Sequence, residues 1–459
     1  MNYHLRLTQA QHGLLQSHLF PGDHKEAVAL LLCGRRRGES RHIFTVREVH
    51  PVPYADCIIR KEDQVTWDTQ HIDALVQRAF NKGLAIVKVH SHPTGNDQFS
   101  LVDDESDASI FASVASLLAD GLPHASVIMG PDGSLFGRVI DDGEIGNSLA
   151  SIMVVGDDIR YWSSVKPNDI EGFTQRTAQT FGQGTIELLK NFSIAVVGCS
   201  GTGSIVIEQL ARLGVGRLVL VDSDVVEEKN LNRILNSGKA DAVQGKAKVH
   251  VLASAIEYMG LGTQVLPLPY NLVNADVVRA VAECDFVFGC TDGVEARHLL
   301  NRLATFYNLP YFDVGVRLDA DGHGGIDTIS GAVHYLQPGG SSLLSRGVYS
   351  LEQVRAEELW RTDPEMYQRQ LKEGYIHGVA EDRPAVISIN MLYASLCVNE
   401  FLARIHPYRN NDNGEYAQVA ASLTEVQFYM EAEQEACSLL EGCVGKGDVV
   451  PLLGRPALS

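Results

Sequence analysis

Short apolar runs alternate with longer amphipathic segments along the first third of the chain. The apolar runs at 26–34 and 83–93 are bounded by charge, glycine or proline, which is typical of buried β-strands. The segments 68–83 and 105–121 carry apolar residues at helical spacing and end in glycine, so both are predicted helices. This order of strand, helix, strand and helix predicts an α/β or α+β domain of about 145 residues.

The same alternation returns after a more polar stretch that runs from about residue 145 to 190. A strand is predicted at 193–197, followed by a glycine-rich turn, a helix with one apolar face and a second strand at 217–221. Further strands are predicted at 285–290 and 309–316. A βαβ unit of this kind implies a parallel, doubly wound sheet. The predicted fold class is therefore α/β, with the doubly wound domain following a smaller N-terminal domain.

Charge and composition exclude several classes of partner. The 459 residues include 38 Lys and Arg against 57 Asp and Glu, a formal net charge of −19, which repels nucleic acids and anionic membranes. The dense basic run at 35–37 is interpreted as a solvated turn. Because no stretch reaches the roughly 18 unbroken apolar residues of a membrane helix, and no secretion signal is visible at the N-terminus, we expect a cytoplasmic protein. The eight cysteines form no CxxC pair, so neither a disulfide framework nor a thiolate zinc site is indicated.

A histidine-rich string, HSHPTGNDQFSLVDDESD, ends the predicted strand at 83–93. His90 and His92 lie two residues apart, so both imidazoles project from one face of the strand. Ser100 and Asp103 open the next predicted helix, where S-x-x-D alone is also typical of a helix cap. Two imidazoles and one carboxylate with an open fourth position form the ligand set of catalytic Zn²⁺.

The ordered string H-S-H-P, six residues, then S-x-x-D resembles the motif of the JAB/MPN metalloproteases, which include the JAMM deubiquitinases. The resemblance covers roughly the first 140 residues and implies an α+β domain of that family. It implies three zinc ligands, namely His90, His92 and Asp103. It also implies that Ser100 stabilises a tetrahedral oxyanion and that a glutamate on an early strand is the general base, for which Glu26 matches and Glu48 is the fallback. The implied reaction is hydrolysis of an isopeptide or peptide bond after the C-terminus of a ubiquitin-like protein.

A second candidate site lies at the turn GCSGTGS, which follows one predicted strand and opens a helix. Free N–H groups and the helix dipole bind phosphate at such a place. Its glycines, Gly198, Gly201 and Gly203, form G-x-x-G-x-G, whereas the dehydrogenase pattern G-x-G-x-x-G needs glycine where Ser200 stands. Asp222, which ends the second strand, is placed to accept a hydrogen bond from a ribose hydroxyl.

Acidic and basic residues alternate just beyond this turn. Arg and Lys neutralise a triphosphate and carboxylates bind Mg²⁺, so the set suits in-line attack on an α-phosphate. The residues concerned are Asp222, Asp224, Asn230, Arg233, Lys246 and, after a later strand, Asp292. A solvated charged loop explains their alternation poorly.

The stretch from about 176 to 402 resembles the adenylating domain of ubiquitin-activating enzymes and of their relatives in thiamine and molybdopterin biosynthesis. That resemblance implies a Rossmann-like domain that uses ATP and Mg²⁺ to convert the C-terminal Gly carboxylate of a ubiquitin-like protein into an acyl-adenylate. The implied ligands are Asp222 for ribose, Arg233 and Lys246 with Asn230 for the phosphates, and Asp292 for Mg²⁺. Arg176 matches an arginine that reaches into the partner subunit's site, which implies a homodimer.

The acyl-transfer step stays open at this level, because no cysteine lies between Cys290 and Cys397, where many relatives carry one. Three hypotheses remain. Ser342 or Ser345 forms an oxyester, Cys437 or Cys443 accepts the acyl group, or the enzyme passes the adenylate directly to a partner.

The combined interpretation is a bifunctional enzyme of a bacterial ubiquitin-like conjugation system, with the modifier and a conjugating enzyme as partners. The peptidase domain at 1–145 processes or removes the modifier, and the adenylation domain at 186–406 activates it with ATP. A linker and dimer arm at 146–185 and a C-terminal tail at 407–459 complete the expected organisation.

Three alternatives change the function. The first is activation and hydrolysis of a sulfur-carrier protein in cofactor or cysteine biosynthesis, and the second is a non-catalytic scaffold that binds ubiquitin-like tails. A nicotinamide-dependent oxidoreductase is disfavoured by Ser200 and by the basic residues Arg233 and Lys246.

Overall fold

The computed structural model describes residues 1–164, 172–321, 323, 325–373, 375–376 and 384–459. The chain divides into two compact units. Unit 1 comprises Met1–Pro167, Phe306–Asn308 and Cys443–Val450, and unit 2 comprises Asn168–Thr305, Leu309–Gly442 and Pro451–Ser459. Part of the expected linker at 146–185, residues 165–171, lies outside the described residues.

Unit 1 is built on a mixed sheet with helices on both faces, which confirms the expected α/β character of the N-terminal part. Its helices are α1 (Gln9–Leu19), α2 (Gln70–Ala79) and α3 (Leu101–Leu118). Its strands are β1 (Asn2–Thr8), β2 (Val28–Arg37), β3 (Arg41–Pro51), β4 (Cys57–Arg60), β5 (Val65–Trp67), β6 (Ala85–Ser91), β7 (His124–Met129), β8 (Leu135–Asp141), β9 (Glu144–Ser148), β10 (Ser151–Val155) and β11 (Arg160–Ser163). Within the described ranges, nine of these strands form one sheet in the order β11-β10-β1-β3-β2-β6-β7-β8-β9, and β4 pairs with β5.

The apolar run at 26–34 becomes β2 because both faces of that strand are covered. Successive side chains of a strand point to opposite faces. Leu31 packs in one core cluster with Leu15 of α1, whereas Leu30 packs in a second cluster with Leu75 of α2 and Phe111 of α3. A strand between two helical layers therefore reads as unbroken hydrophobicity.

The expectation that the basic run at 35–37 is a solvated turn is wrong. These residues are the last three of β2, and Arg35 and Arg36 are buried, with Arg35 only 3% exposed. Arg35 donates hydrogen bonds from Nε to the Gly83 carbonyl at 2.8 Å and from Nη2 to the Leu84 carbonyl at 3.2 Å. Backbone carbonyls in this position satisfy a buried guanidinium, which charge patterning alone does not indicate.

Unit 2 contains the predicted doubly wound sheet. Its helices are α4 (Gln175–Phe181), α5 (Gln183–Asn191), α6 (Gly201–Arg212), α7 (Lys239–Gln244), α8 (Lys248–Met259), α9 (Ala275–Ala282), α10 (Val294–Phe306), α11 (Leu351–Thr362), α12 (Pro364–Glu373) and α13 (Ile387–Ile405). Its strands are β12 (Ser193–Val197), β13 (Arg217–Val221), β14 (Gln264–Leu268), β15 (Phe286–Gly289), β16 (Tyr311–Ala320), β17 (Ile326–Leu336), β18 (Gln418–Ser422) and β19 (Gln427–Glu431). They form one sheet in the order β14-β13-β12-β15-β16-β17-β18-β19. The pairs from β14 to β16 are parallel, and those from β16 to β19 are antiparallel.

The carboxyl ends of three parallel strands meet at one edge of this sheet. Val197 of β12 lies beside Val221 of β13 and Gly289 of β15. The next residue, Gly198, has φ +92, and a Cβ there would lie 2.5 Å from the carbonyl oxygen of Cys290. Only glycine fits at position 198, because the backbone of the glycine-rich turn packs there against the loop that follows β15.

Two segments expected to be irregular are parts of the sheets. Strands β10 and β11 lie within the expected linker at 146–185, and β10 pairs with β1 at the other end of unit 1. Strands β18 and β19 lie in the expected C-terminal tail and extend the sheet of unit 2. Strands β10 and β18 pair with strands distant in sequence, and all four runs are short, so local patterning does not reveal them.

Among the described residues, no helix has the length and apolarity needed to cross a bilayer.

The buried His124 of unit 1 predicts that the free energy of unfolding falls in acid. Burial, with Arg35 nearby, lowers the pKa of His124 to about 3, against roughly 6.5 in an unfolded chain. Between these values the unfolded chain binds a proton that the folded chain does not, so stability is lost as pH falls below about 6.5. We expect His124→Asn to reduce this slope by about 1.4 kcal/mol per pH unit. Urea unfolding at pH 8, 6 and 5 measures it.

The free energy of unfolding at pH 8 is the control for this experiment. At that pH His124 is neutral in both the folded and the unfolded chain, so the difference in stability between variant and wild type reports only lost packing. Parallel curves for the variant and the wild type from pH 8 to 5 would contradict the prediction.

Candidate functional site

The predicted zinc ligands lie at the end of β6 and the start of α3. His90 is the penultimate residue of β6, and His92 follows the strand directly. Ser100 is the N-cap of α3 and forms a capping box with Asp103. The Ser100 hydroxyl donates to Asp103 Oδ2 at 2.7 Å, and the Asp103 N–H donates to Ser100 Oγ at 3.2 Å. The helix cap therefore also holds the carboxylate in place.

The structure brings these three side chains together. His90 Nε2 lies 3.0 Å from His92 Nε2 and 2.9 Å from Asp103 Oδ1, and His92 Nε2 lies 3.5 Å from Asp103 Oδ2. Ligand atoms bound tetrahedrally to Zn²⁺ at its usual bond lengths are about 3.3 Å apart. His92 Nδ1 pairs with the Asn96 carbonyl at 2.8 Å, which leaves its Nε2 free to bind a metal. The donor set and its spacing fit zinc, and these residues form a group of possible metal ligands within 4.8 Å of one another.

The surroundings set the charge of each ligand. Burial lowers the pKa of His90 and keeps its imidazole neutral, the form that binds metals. Burial raises the pKa of Asp103, but hydrogen bonds from His90 and His92 outweigh it and hold the pKa below its ordinary value. For His92 burial lowers the pKa, but the hydrogen bonds to Asp103 and to the Asn96 carbonyl, together with the charges of Asp103 and Glu26, outweigh burial and raise the pKa.

Glu26 lies beside this group, two residues before the start of β2. Its Oε1 is 3.9 Å from His92 Nε2, and burial raises the pKa of its carboxyl to about 7. The fallback, Glu48, is engaged elsewhere, since Arg78 Nη2 donates to its Oε1 at 2.6 Å. Geometry therefore favours Glu26 over Glu48 as the carboxyl that exchanges a proton at this site.

A buried ion cluster that sequence inspection missed supports the histidines. Lys88 Nζ pairs with Asp107 at 2.5 Å, and Arg138 Nη2 pairs with the same carboxylate at 2.7 Å. The Arg138 guanidinium also covers the ring of Phe99, 3.8 Å from its centroid. Lys88 lines the same pocket as Glu26, His90 and Asp103. Lys88 is two residues before His90 on β6, so strand periodicity could have predicted that both side chains point to the same face.

The glycine-rich turn of unit 2 opens α6 without a side-chain cap. Ser200 is the N-cap and forms no side-chain cap hydrogen bond, so the first-turn N–H groups are available to an anion. Gly198, Gly201 and Gly203 form the close backbone approaches of the turn. Burial raises the pKa of Asp222, whose Oδ2 accepts from the Cys199 N–H at 2.7 Å.

The lysine that meets these acids is Lys248, which sequence inspection missed. Its Nζ lies 2.7 Å from Asp224 Oδ2 and 3.8 Å from Asp222 Oδ1, and its side chain is 7% exposed. Lys246, the predicted phosphate ligand, is 48% exposed and pairs with Asp241 at 2.8 Å. Lys248 is the first residue of α8, so the helix orients it toward the end of β13. The structure thus brings Lys248 to Asp222 and Asp224, whereas the predicted Lys246 pairs with Asp241, and the role of Lys246 stays a prediction.

The other predicted nucleotide ligands differ from one another in burial and in hydrogen-bond partners. Asn230 is buried, and its Oδ1 accepts from the Glu227 N–H at 3.0 Å, so it organises the loop. Arg233 is half-buried, with Nη1 donating to the Lys229 carbonyl at 2.9 Å. Asp292 is exposed in the loop after β15, and Arg176 is exposed on α4. Asp292 joins no group of three metal-binding side chains within the described ranges.

The candidate acyl acceptors differ in access. Ser342 is buried and accepts from the Ser345 N–H at 3.2 Å, so its hydroxyl serves a turn. Ser345 is exposed and accepts from the Ser342 N–H at 2.9 Å. Cys437 is buried, and half-buried Cys443 lies 3.7 Å from Lys446 Nζ. Burial removes support for Ser342 and Cys437 as nucleophiles, because an acyl donor needs access to the attacking atom.

Comparison with known proteins gives each unit a family match. The model of the ThiF family matches residues 174–439, and that of the prokaryotic homologs of the JAB domain matches residues 9–137. These matches confirm both resemblances drawn from the motifs and the predicted fold class.

Named relatives match part of the chain. Ubiquitin-like modifier-activating enzyme 5 of Culex quinquefasciatus is 29% identical over 165 residues, covering 33% of this chain and 39% of that protein. Adenylyltransferase and sulfurtransferase MOCS3 of Danio rerio is 35% identical over 123 residues, covering 27% of this chain and 26% of that protein. The chain thus spans well under half the length of these relatives. The solved structure of E. coli MccB with succinimide is 18% identical, with 58% of this chain and 74% of that chain covered and a TM-score of 0.45.

Proposed function

The chain belongs to the ThiF family, and from this premise we propose that it adenylates the C-terminal glycine of a ubiquitin-like protein with ATP and carries a zinc peptidase for the same modifier. The observation that carries the first activity is the meeting of Lys248, Asp222 and the uncapped start of α6 at one sheet edge. The convergence of His90, His92 and Asp103 carries the second.

The adenylation half follows from the charges at this edge. A carboxylate oxygen of the modifier's terminal glycine attacks the α-phosphorus of ATP, the bond to the β-phosphate oxygen breaks, and pyrophosphate leaves. Lys248 and Arg233 neutralise the phosphates, and the first-turn N–H groups of α6 hold one of them. Asp222 has acceptor capacity left for a ribose hydroxyl, because a carboxylate has about four acceptor positions. The exposed Asp292 carboxylate is the proposed ligand of Mg²⁺, which screens the phosphate charge when bound.

The peptidase half follows from the first site. His90, His92 and Asp103 would hold Zn²⁺, which acts as a Lewis acid at such a site. Glu26, with a pKa near neutrality, takes a proton from the attacking water and delivers it to the amine that leaves. The Ser100 hydroxyl donates to Asp103 Oδ2 in the free protein, and its proposed role is to turn and donate to the carbonyl oxygen as negative charge develops there. Water adds its oxygen to the carbonyl carbon, and the C–N bond breaks.

The same chemistry supports two roles in the cell. We favour bacterial modifier conjugation with a conjugating enzyme as partner, and a homodimer in which Arg176 completes the partner subunit's site. Activation of a sulfur-carrier protein is the second candidate, since one named relative is an adenylyltransferase and sulfurtransferase. The absence of cysteine between Cys290 and Cys397 favours the first.

ATP–pyrophosphate exchange tests the adenylation half. The probe is a purified small β-grasp protein that ends in glycine, and its form lacking that glycine is the matched control. We expect exchange with the intact protein only, because the attacking carboxylate must reach the α-phosphorus. Absence of exchange with both forms, in a preparation that is folded, would support the scaffold alternative instead.

A further inference from the structure

One buried side-chain amide of unit 2 has no hydrogen-bond partner in the described part of the chain. Asn390 lies in the first turn of α13 and is 5% exposed. Its backbone N–H donates to the Val386 carbonyl at 3.0 Å, whereas its carboxamide makes no such contact with the described residues. The carboxamide atoms are not among the fully enclosed atoms that lack a partner, so they keep access to solvent and can hydrogen-bond a ligand from outside the chain.

This amide lies directly over the start of α6. A Cβ added to Gly201 would lie 2.2 Å from Asn390 Nδ2 and 3.1 Å from Arg233 Cδ. Only glycine leaves room here, so the turn, the amide and the arginine converge on one point. Gly201 is the first residue of α6.

Two helix N-termini therefore meet around Asn390. Farther along, Gln209 of α6 donates to Ser395 of α13 at 3.0 Å, so the two helices run side by side from this end. Neither N-cap residue, Ser200 or Val386, makes a side-chain cap hydrogen bond. Each N-terminus carries a partial positive charge, and the two repel one another unless an anion neutralises them.

We infer that Asn390 is a nucleotide-positioning residue whose Nδ2 donates a hydrogen bond to a phosphate of ATP bound between the starts of α6 and α13. The inference rests on the proposed adenylation function. A phosphate oxygen accepts hydrogen bonds, and the amide nitrogen is the atom that faces Gly201. The Arg233 side chain passes the same point through its Cδ, and in the proposed complex its guanidinium supplies charge while the neutral amide supplies direction.

Calorimetric titration of ATP and of adenosine into the full-length protein tests this role. Asn390→Ala is expected to weaken ATP binding about tenfold, the effect of losing one hydrogen bond to a charged group. Asn390→Asp, which keeps the size of the side chain, is expected to weaken it further, because its charge repels phosphate. Adenosine binding should be unchanged in both variants, since adenosine lacks the phosphate.

Asn399→Ala is the matched control, because Asn399 is exposed on the same helix and donates to the Ser395 carbonyl. A melting temperature measured for each variant separates misfolding from lost binding, and Asn390→Asp serves if the alanine variant does not fold. Equal ATP affinity in wild type and both Asn390 variants would overturn the inference while leaving the proposed function intact. Equal weakening of ATP and adenosine would also overturn it. Failure of the wild type to bind ATP would overturn both.

Discussion

His90→Ala is expected to reduce bound zinc from about one ion per chain to less than about one tenth under the same loading conditions. His90 Nε2 lies within 3.0 Å of both other ligand atoms, so its loss leaves an imidazole and a carboxylate that cannot close a stable site. Hydrolysis of a ubiquitin-like C-terminal bond should fall with the metal. Inductively coupled plasma mass spectrometry on protein grown with ample zinc and then dialysed measures the stoichiometry.

His71→Ala is the matched control for the zinc measurement. His71 also contacts a carboxylate, with its Nε2 3.0 Å from Asp56 Oδ2, but it lies on α2 outside the ligand group. We expect this variant to keep its zinc. If wild type carried no zinc, or if His90→Ala retained as much as His71→Ala, the metal site would be rejected.

Lys248→Met is expected to lower ATP–pyrophosphate exchange by roughly 100–1000-fold, the range for losing one preorganised charge at a reacting centre. The ammonium of Lys248 lies near Asp222 and Asp224, where the phosphates of ATP would gather. Methionine keeps the length and packing of the buried stem and removes the charge. The exchange rate with the glycine-terminated β-grasp protein is the readout.

Lys246→Met, two residues away, tests whether Lys248, proposed from the structure, or Lys246, predicted from the sequence, is the phosphate ligand. Lys246 is half-exposed and paired with Asp241, so we expect its loss to change exchange by less than about threefold. The reverse ranking of the two variants would restore Lys246 as the phosphate ligand. Melting temperatures check that Lys248→Met, which leaves Asp222 buried, remains folded.

Local spacing was enough to predict much of the fold and the first site. The strands at 193–197 and 217–221 have the predicted bounds, because parallel strands buried on both faces are unbroken apolar runs. His90, His92 and Asp103 were predicted because a strand end and a helix cap hold them within fourteen residues of sequence. By contrast, β10 and β18 pair with strands far away in sequence, so no local pattern predicts them.

The amino-acid sequence by itself determined the two fold classes, the grouping of His90, His92 and Asp103, and the glycine-rich turn at the start of α6, since each arises from the period of a strand or helix and from one short loop. Tertiary structure alone decided which cation meets Asp222 and which amide covers Gly201. The contact of Lys248 rather than Lys246 with Asp222 depends on where α8 begins, and the approach of Asn390 to Gly201 joins residues that lie 189 positions apart along the chain. Such contacts depend on how whole helices pack against the sheet, and that packing is a property of no single segment.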